Sequence, residues 1–120
     1  MTNQAGKPYD LEERTYQFAK RVREFVKKLL QTIANQEDIR QLVRSSGSAG
    51  ANYIEANEAL SKKDFRMRIK ICRKESKESR YWLRLLDVSE NVTWETERGE
   101  LIQESTELMK IFAAILLKSG

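Results

Sequence analysis

The chain offers almost no place to stop a helix. Its only proline is Pro8, and no glycine occurs between Gly50 and Gly99. Proline and glycine are the strongest local breakers of regular structure. A chain of 120 residues so poor in them, with 33% of its residues charged, reads as long helices joined by short links. The length fits one domain around one core.

Hydrophobic spacing divides the chain into four such helices. After a flexible tail over residues 1–9, Asp10 is a plausible N-cap, with Glu12 and Glu13 in the first turn. Leu11, Phe18, Val22, Phe25, Leu29 and Ile33 then mark one face of a first helix over 10–34. Residues 35–38 form a polar link. A second helix starts near Asp38 and lines up Ile39, Leu42, Val43, Ser46, Ala49, Gly50, Tyr53 and Ile54. Ser61 and Asp64 offer caps for a third helix running to about Ser89, with Phe65, Ile69, Cys72, Ser76, Ser79, Leu83 and Leu86 as its core line. A fourth begins at Trp94 or Thr96, with Leu101, Leu108, Phe112 and Ile115 facing inward. Short links impose antiparallel neighbours, so the expected fold is all-α: an antiparallel up-down-up-down four-helix bundle over 10–120.

Composition removes several kinds of chemistry. The chain has no histidine, which excludes Ser-His and Cys-His dyads and histidine-ligated zinc or haem. Its one cysteine, Cys72, cannot form an intrachain disulfide and lies on the core line, so it reads as a small buried hydrophobe in a reducing, cytoplasmic setting. No apolar run approaches the ~20 residues that span a bilayer, and the N-terminus lacks the apolar core of a signal peptide. No cofactor, metal or membrane contact is expected.

Two stretches are unusual for a helix. In Ser45-Ser46-Gly47-Ser48-Ala49-Gly50-Ala51 every side chain is small. Each internal glycine costs a helix roughly 1 kcal/mol relative to alanine, which is tolerated where another backbone approaches closely. The competing reading is a phosphate-cradling loop, but the strand before it and the Lys-Ser/Thr after it are missing. The other stretch, Leu108 to Leu117, is apolar on nearly every side. It is expected to place Met109, Ile111, Phe112 and Leu116 in a subunit interface; the alternative is a broad core face.

Charge is distributed unevenly. Residues 1–84 carry 19 basic and 11 acidic side chains, net +8, while residues 85–120 carry 3 and 7, net −4. Within the third helix Arg66, Lys70, Arg73, Lys77, Arg80 and Arg84 recur at steps of 4, 3, 4, 3 and 4, which places them on one stripe. Lys62, Lys63, Arg68 and Lys74 flank it, and the first helix adds Arg21 and Lys28 among other cations. Such a row fits the phosphates of RNA or DNA. It equally fits a solvated face neutralised by the acidic fourth helix of the same or a neighbouring subunit. Few aromatics interleave with the six cations, which favours backbone contact over base stacking.

Carboxylates recur in pairs: Glu55-x-x-Glu58 on the second helix and Glu75-x-x-Glu78 on the third. Pairs on facing helices can hold Mg²⁺, as in all-α nucleotide pyrophosphohydrolases. The plainer reading is a structural polar network of Arg44, Asn52, Glu55, Glu75, Glu78 and Trp82, with Arg44 or Arg68 pairing a glutamate.

The run Ser46 to Ala56 and the run Ile69 to Leu83, which contains Glu75, Glu78, Tyr81, Trp82 and Leu83, resemble two motifs of one family. It comprises bacterial four-helix bundle proteins similar to the 23S rRNA intervening-sequence protein, with the accessory variability protein of diversity-generating retroelements as a more distant relative. The resemblance covers roughly residues 10–118. It implies an up-down bundle assembling as a homopentamer. Asn52, Glu55, Glu75 and Trp82 match recurring positions of the family. In the retroelement branch a basic surface binds nucleic acid and a reverse transcriptase. The combined expectation is a non-catalytic, nucleic-acid-binding accessory protein acting as a homo-oligomer, assisting a reverse transcriptase in one version. A protein-binding oligomeric scaffold is the alternative.

Overall fold

The computed structural model describes residues 10–120, so the tail expected over 1–9 lies outside the described residues. Four helices follow in order: α1 (Leu11–Val26), α2 (Ile33–Asn57), α3 (Lys62–Leu85) and α4 (Val92–Ser119). Each packs on its neighbours in the cycle α1–α2–α3–α4–α1, while the backbones of the diagonal pairs stay apart. Cross-links between helices fix their directions. Ser45 meets Ser79, Ser48 meets Glu75 and Asn52 meets Arg68, so α2 and α3 are antiparallel. Arg14 meets Glu104 and Lys28 meets Glu97, so α1 and α4 are antiparallel too. The result is the expected up-down-up-down four-helix bundle.

Every helix starts on a side-chain cap. Asp10, Thr32, Ser61 and Asn91 each accept a hydrogen bond from the backbone N–H three residues on, which satisfies a donor the helix itself leaves free. Two of these caps correct the expected boundaries. The first helix ends at Val26 rather than near residue 34. Leu29 stays buried in the turn that follows, which is why the apolar period ran on. Ile33, counted on that face, is 89% exposed and opens α2 five residues before Asp38. At the other link, α3 ends at Leu85, yet Leu86 and Val88 remain buried, and α4 begins at Val92.

Asn35 explains how the two links at this end are held. The residue is buried, its Nδ2 donates to the carbonyls of Leu30 and Asp87, and its Oδ1 accepts from the Asp87 N–H at 2.9 Å. One side chain thus ties the α1–α2 link to the α3–α4 link. The segment expected to be a polar link is the first turn of a helix, with its polar residue turned inward.

The core runs the length of the bundle from Leu11 and Phe18 through Leu42, Ile69, Leu83, Leu101, Leu108 and Phe112. Its middle is small and polar. Thr15, Ser45, Ser46, Ser76, Ser79 and Ser105 are all buried. Their hydroxyls bond carbonyls three or four residues earlier, and Ser45 and Ser79 also bond each other across α2 and α3 at 2.8 Å. Satisfied in this way, the hydroxyls are tolerated inside. The small stretch 45–51 is helical throughout. A Cβ on Gly50 would lie 2.9 Å from Thr15 Oγ1, so this glycine lets α1 and α2 approach closely.

Phe112 corrects the expected interface. It is 0% exposed and its ring lies 5.9 Å from that of Tyr53, so it belongs to the core of its own chain. Ile111 and Leu116 pack against the same core, and Met109 is half-buried. At its C-terminal end this helix leaves Leu117 in solvent, 84% exposed.

Candidate nucleic-acid interface on α3

Four of the five acidic residues of α4 face α1, while Glu95 pairs with Arg98 of its own helix. Glu97, Glu100, Glu104 and Glu107 follow one another at steps of 3, 4 and 3, and so form one stripe. Opposite them stand Arg14, Arg21 and Lys28, seven residues apart. Arg14 bonds Glu104 through Nε and Nη2 at 2.7 and 2.9 Å and Glu107 through Nη2 at 2.7 Å. Arg21 lies 3.5 Å from Glu100, and Lys28 2.8 Å from Glu97. The Glu104 hydrogen bonds push the Arg14 guanidinium's affinity for its proton up, against the opposing effect of burial. Arg21 and Lys28, expected to help hold nucleic acid, are therefore engaged with carboxylates of their own chain. The matching spacings, 14/21/28 against 97/100/104/107, were present in the sequence and are the signal that finds this pairing.

With α4's acids turned to α1, α3 keeps its positive charge. Lys70, Arg73, Lys77 and Arg84 are exposed and Arg80 is half-buried. Among the described residues none of these five makes a side-chain hydrogen bond or ion pair. Arg66, the sixth residue of the row, differs. Its Nη1 donates to the Leu116 carbonyl at 2.7 Å and to Ser119 Oγ at 2.8 Å, fastening the last turn of α4. From Lys70 to Arg84 the unpaired cations extend over roughly 21 Å of helix.

The outermost stripe of α3 lies one step round from that row. It consists of Lys63, Met67, Lys70, Lys74, Lys77, Tyr81 and Arg84, all exposed. Lys63 and Lys74, which the sequence reading set beside the row, stand in full solvent. No carboxylate interrupts this stripe. Asp64 and Glu78 are half-buried and Glu75 is buried, all on other faces. At the N-terminal end of α3 Lys62, Lys63, Arg66 and Lys70 line an open hollow together with Met67.

The polar network exists in altered membership. Arg68 donates to Asn52 Oδ1 at 2.9 Å, Asn52 donates to Ser48 Oγ at 3.0 Å, and Ser48 donates to Glu75 Oε2 at 3.3 Å. Glu75 is only 6% exposed. Arg44 does not join; it is exposed and reaches only Gln41. Glu55 is exposed and Glu78 half-buried, neither with a side-chain partner among the described residues. Trp82 packs against the core with its indole nitrogen buried. Arg68 and Glu75 are thus joined through Asn52 and Ser48 rather than by the direct salt bridge that was expected. Among the described residues no three carboxylate or thiol groups gather as metal ligands, so Glu55, Glu58, Glu75 and Glu78 do not converge as a metal-dependent hydrolase would require. Burial pushes the Cys72 thiol up to about 12, which leaves it protonated and unreactive at neutral pH. No described helix is long and apolar enough to cross a membrane.

Comparison with known proteins agrees with this architecture. The 23S rRNA-intervening sequence protein family matches residues 8–114. No curated protein matches the chain. A crystal structure of a protein of unknown function from the S23 ribosomal protein family of Bacteroides thetaiotaomicron superposes with a TM-score of 0.74 at 33% identity, covering 88% of this chain and 97% of that one. The chain belongs to the 23S rRNA-intervening sequence protein family.

Proposed function

We propose that the chain is a non-catalytic accessory protein that binds the phosphates of RNA or DNA through the outer face of α3. One observation carries this reading: the acids of α4 pair with α1, while Lys70, Arg73, Lys77, Arg80 and Arg84 have no partner among the described residues. A like-charged row weakens a helix by a few tenths of a kcal/mol per i,i+4 pair. Phosphate removes that repulsion and releases condensed counterions. The protein acts as a homo-oligomer, a pentamer by resemblance to its family, which multiplies weak contacts on each copy. Exposed Leu117 and an apolar groove of about 450 Å³ between α1 and α2, bordered by Tyr16 and Ile54, supply surface for self-association. A reverse transcriptase is a partner only on the analogy of the retroelement branch.

Binding of labelled RNA and DNA at rising salt tests the reading. Affinity is expected to fall steeply with salt, and charge reversal at Arg73, Lys77 and Arg80 together is expected to abolish it. Binding that ignores salt, or no binding at low salt, would overturn the proposal and leave the oligomeric protein-binding scaffold.

A further inference from the structure

Tyr81 stands in the middle of the cationic face. It is 54% exposed, on the same outer stripe as Lys74, Lys77 and Arg84. Lys77 is one turn before it and Arg84 one turn after. Its ring meets Trp82 at a centroid distance of 5.0 Å and an interplanar angle of 76°. Trp82 is itself packed against the core, so the tyrosine ring is braced from one side while much of it faces water. Leu85, one turn further, is also exposed and widens the apolar floor. Glu78 is the nearest acid on the helix, half-buried on the side toward α2.

An exposed aromatic ring between cations is poorly explained by backbone contact alone. Duplex nucleic acid presents phosphates to such a face, and its bases are stacked and out of reach. A single strand presents phosphates and unstacked bases together. Proteins that hold single strands combine a cationic track with aromatic platforms. We infer that Tyr81 is a stacking platform for an unpaired base, with Lys77 and Arg84 taking the phosphates on either side, so that α3 prefers single-stranded nucleic acid. This rests on the phosphate-binding reading above and sharpens it. The ring also changes the expectation that few aromatics meant backbone contact: Tyr81 lies one step off the six-cation row and enters the face only when the exposed stripe is identified.

The test compares labelled oligo(A) RNA and oligo(dA) of about 12 nucleotides with duplexes of the same length. Tyr81→Leu keeps an apolar side chain and removes the ring. It should weaken binding of one or both single strands about 5- to 150-fold while leaving the duplexes unaffected. The slope of affinity against salt should not change, because no charge is lost. Tyr81→Phe should restore the affinity. Equal binding of the single strands by Tyr81→Leu and the unaltered chain overturns the stacking proposal but not phosphate binding. So does an equal loss on single strand and duplex, or a fall in assembly mass by light scattering, which would assign the ring to a subunit contact. No binding of any probe at low salt overturns both readings.

Discussion

Arg14 of α1 grips Glu104 of α4 with two parallel hydrogen bonds, Nε to Oε2 at 2.7 Å and Nη2 to Oε1 at 2.9 Å. Both side chains are about four-fifths buried, at 21% and 19% exposure. Paired ions in such a setting gain more than surface pairs. Glu104→Gln is expected to lower unfolding free energy by about 1–3 kcal/mol. Glu100→Gln breaks the looser, solvent-exposed contact with Arg21 and should cost less than about 1 kcal/mol. Urea unfolding of the two variants checks the order.

Glu107 gives this contact a pH dependence. A hydrogen bond from the Gln103 amide, followed by one from Arg14, holds its carboxyl below the usual range. A lowered folded-state pKa stabilises the protein above the unfolded value, and that contribution is lost as pH falls through the folded one. Stability should therefore decline below about pH 4.3. The acid limb should be shallower in Glu107→Gln, as thermal melts at several pH values would show.

Gly50 and Gly99 should respond oppositely to alanine. At Gly50 the new Cβ would meet Thr15, whose hydroxyl is fixed by the Leu11 and Glu12 carbonyls. That overpacking should outweigh the better helix propensity and destabilise by about 1–3 kcal/mol. At Gly99 nothing lies within 4 Å, so alanine should add up to about 1 kcal/mol of stability. Denaturation midpoints of the pair decide whether close approach of α1 to α2 is the reason for the small-residue stretch.

Asn35→Ala should be among the most damaging single changes outside the apolar core. It removes all three hydrogen bonds that join the two links and leaves the Asp87 N–H without its acceptor. A loss of about 2–4 kcal/mol is expected. Hydrogen exchange should also show the Asp87 amide exchanging faster.

Four helices and their order were legible because apolar residues kept a helical period and few glycines or prolines interrupted it. The ends were not, because Leu29, Leu86 and Val88 stay buried after their helices stop, so the period outlasts the hydrogen bonding. The basic row on α3 was visible as spacing, and its freedom from counter-charge was not. That freedom depends on which way Glu97, Glu100, Glu104 and Glu107 turn, a matter of packing between α1 and α4. Phe112 was misplaced for a related reason. A helix apolar on several faces does not reveal which of them meets its own core.

Lys70, Arg73, Lys74, Lys77, Arg80 and Arg84 have no counter-charge among the described residues, while Arg14, Arg21 and Lys28 are engaged with carboxylates of α4. The salt dependence of nucleic-acid affinity measures this contrast most directly. Lys70→Gln, Lys74→Gln and Lys77→Gln combined should flatten the slope of log affinity against log salt by about one unit for each cation removed. Arg21→Gln with Lys28→Gln should leave the slope close to that of the unaltered chain. An unchanged slope in the α3 variant, or an equal per-residue loss in the α1 variant, would contradict the account.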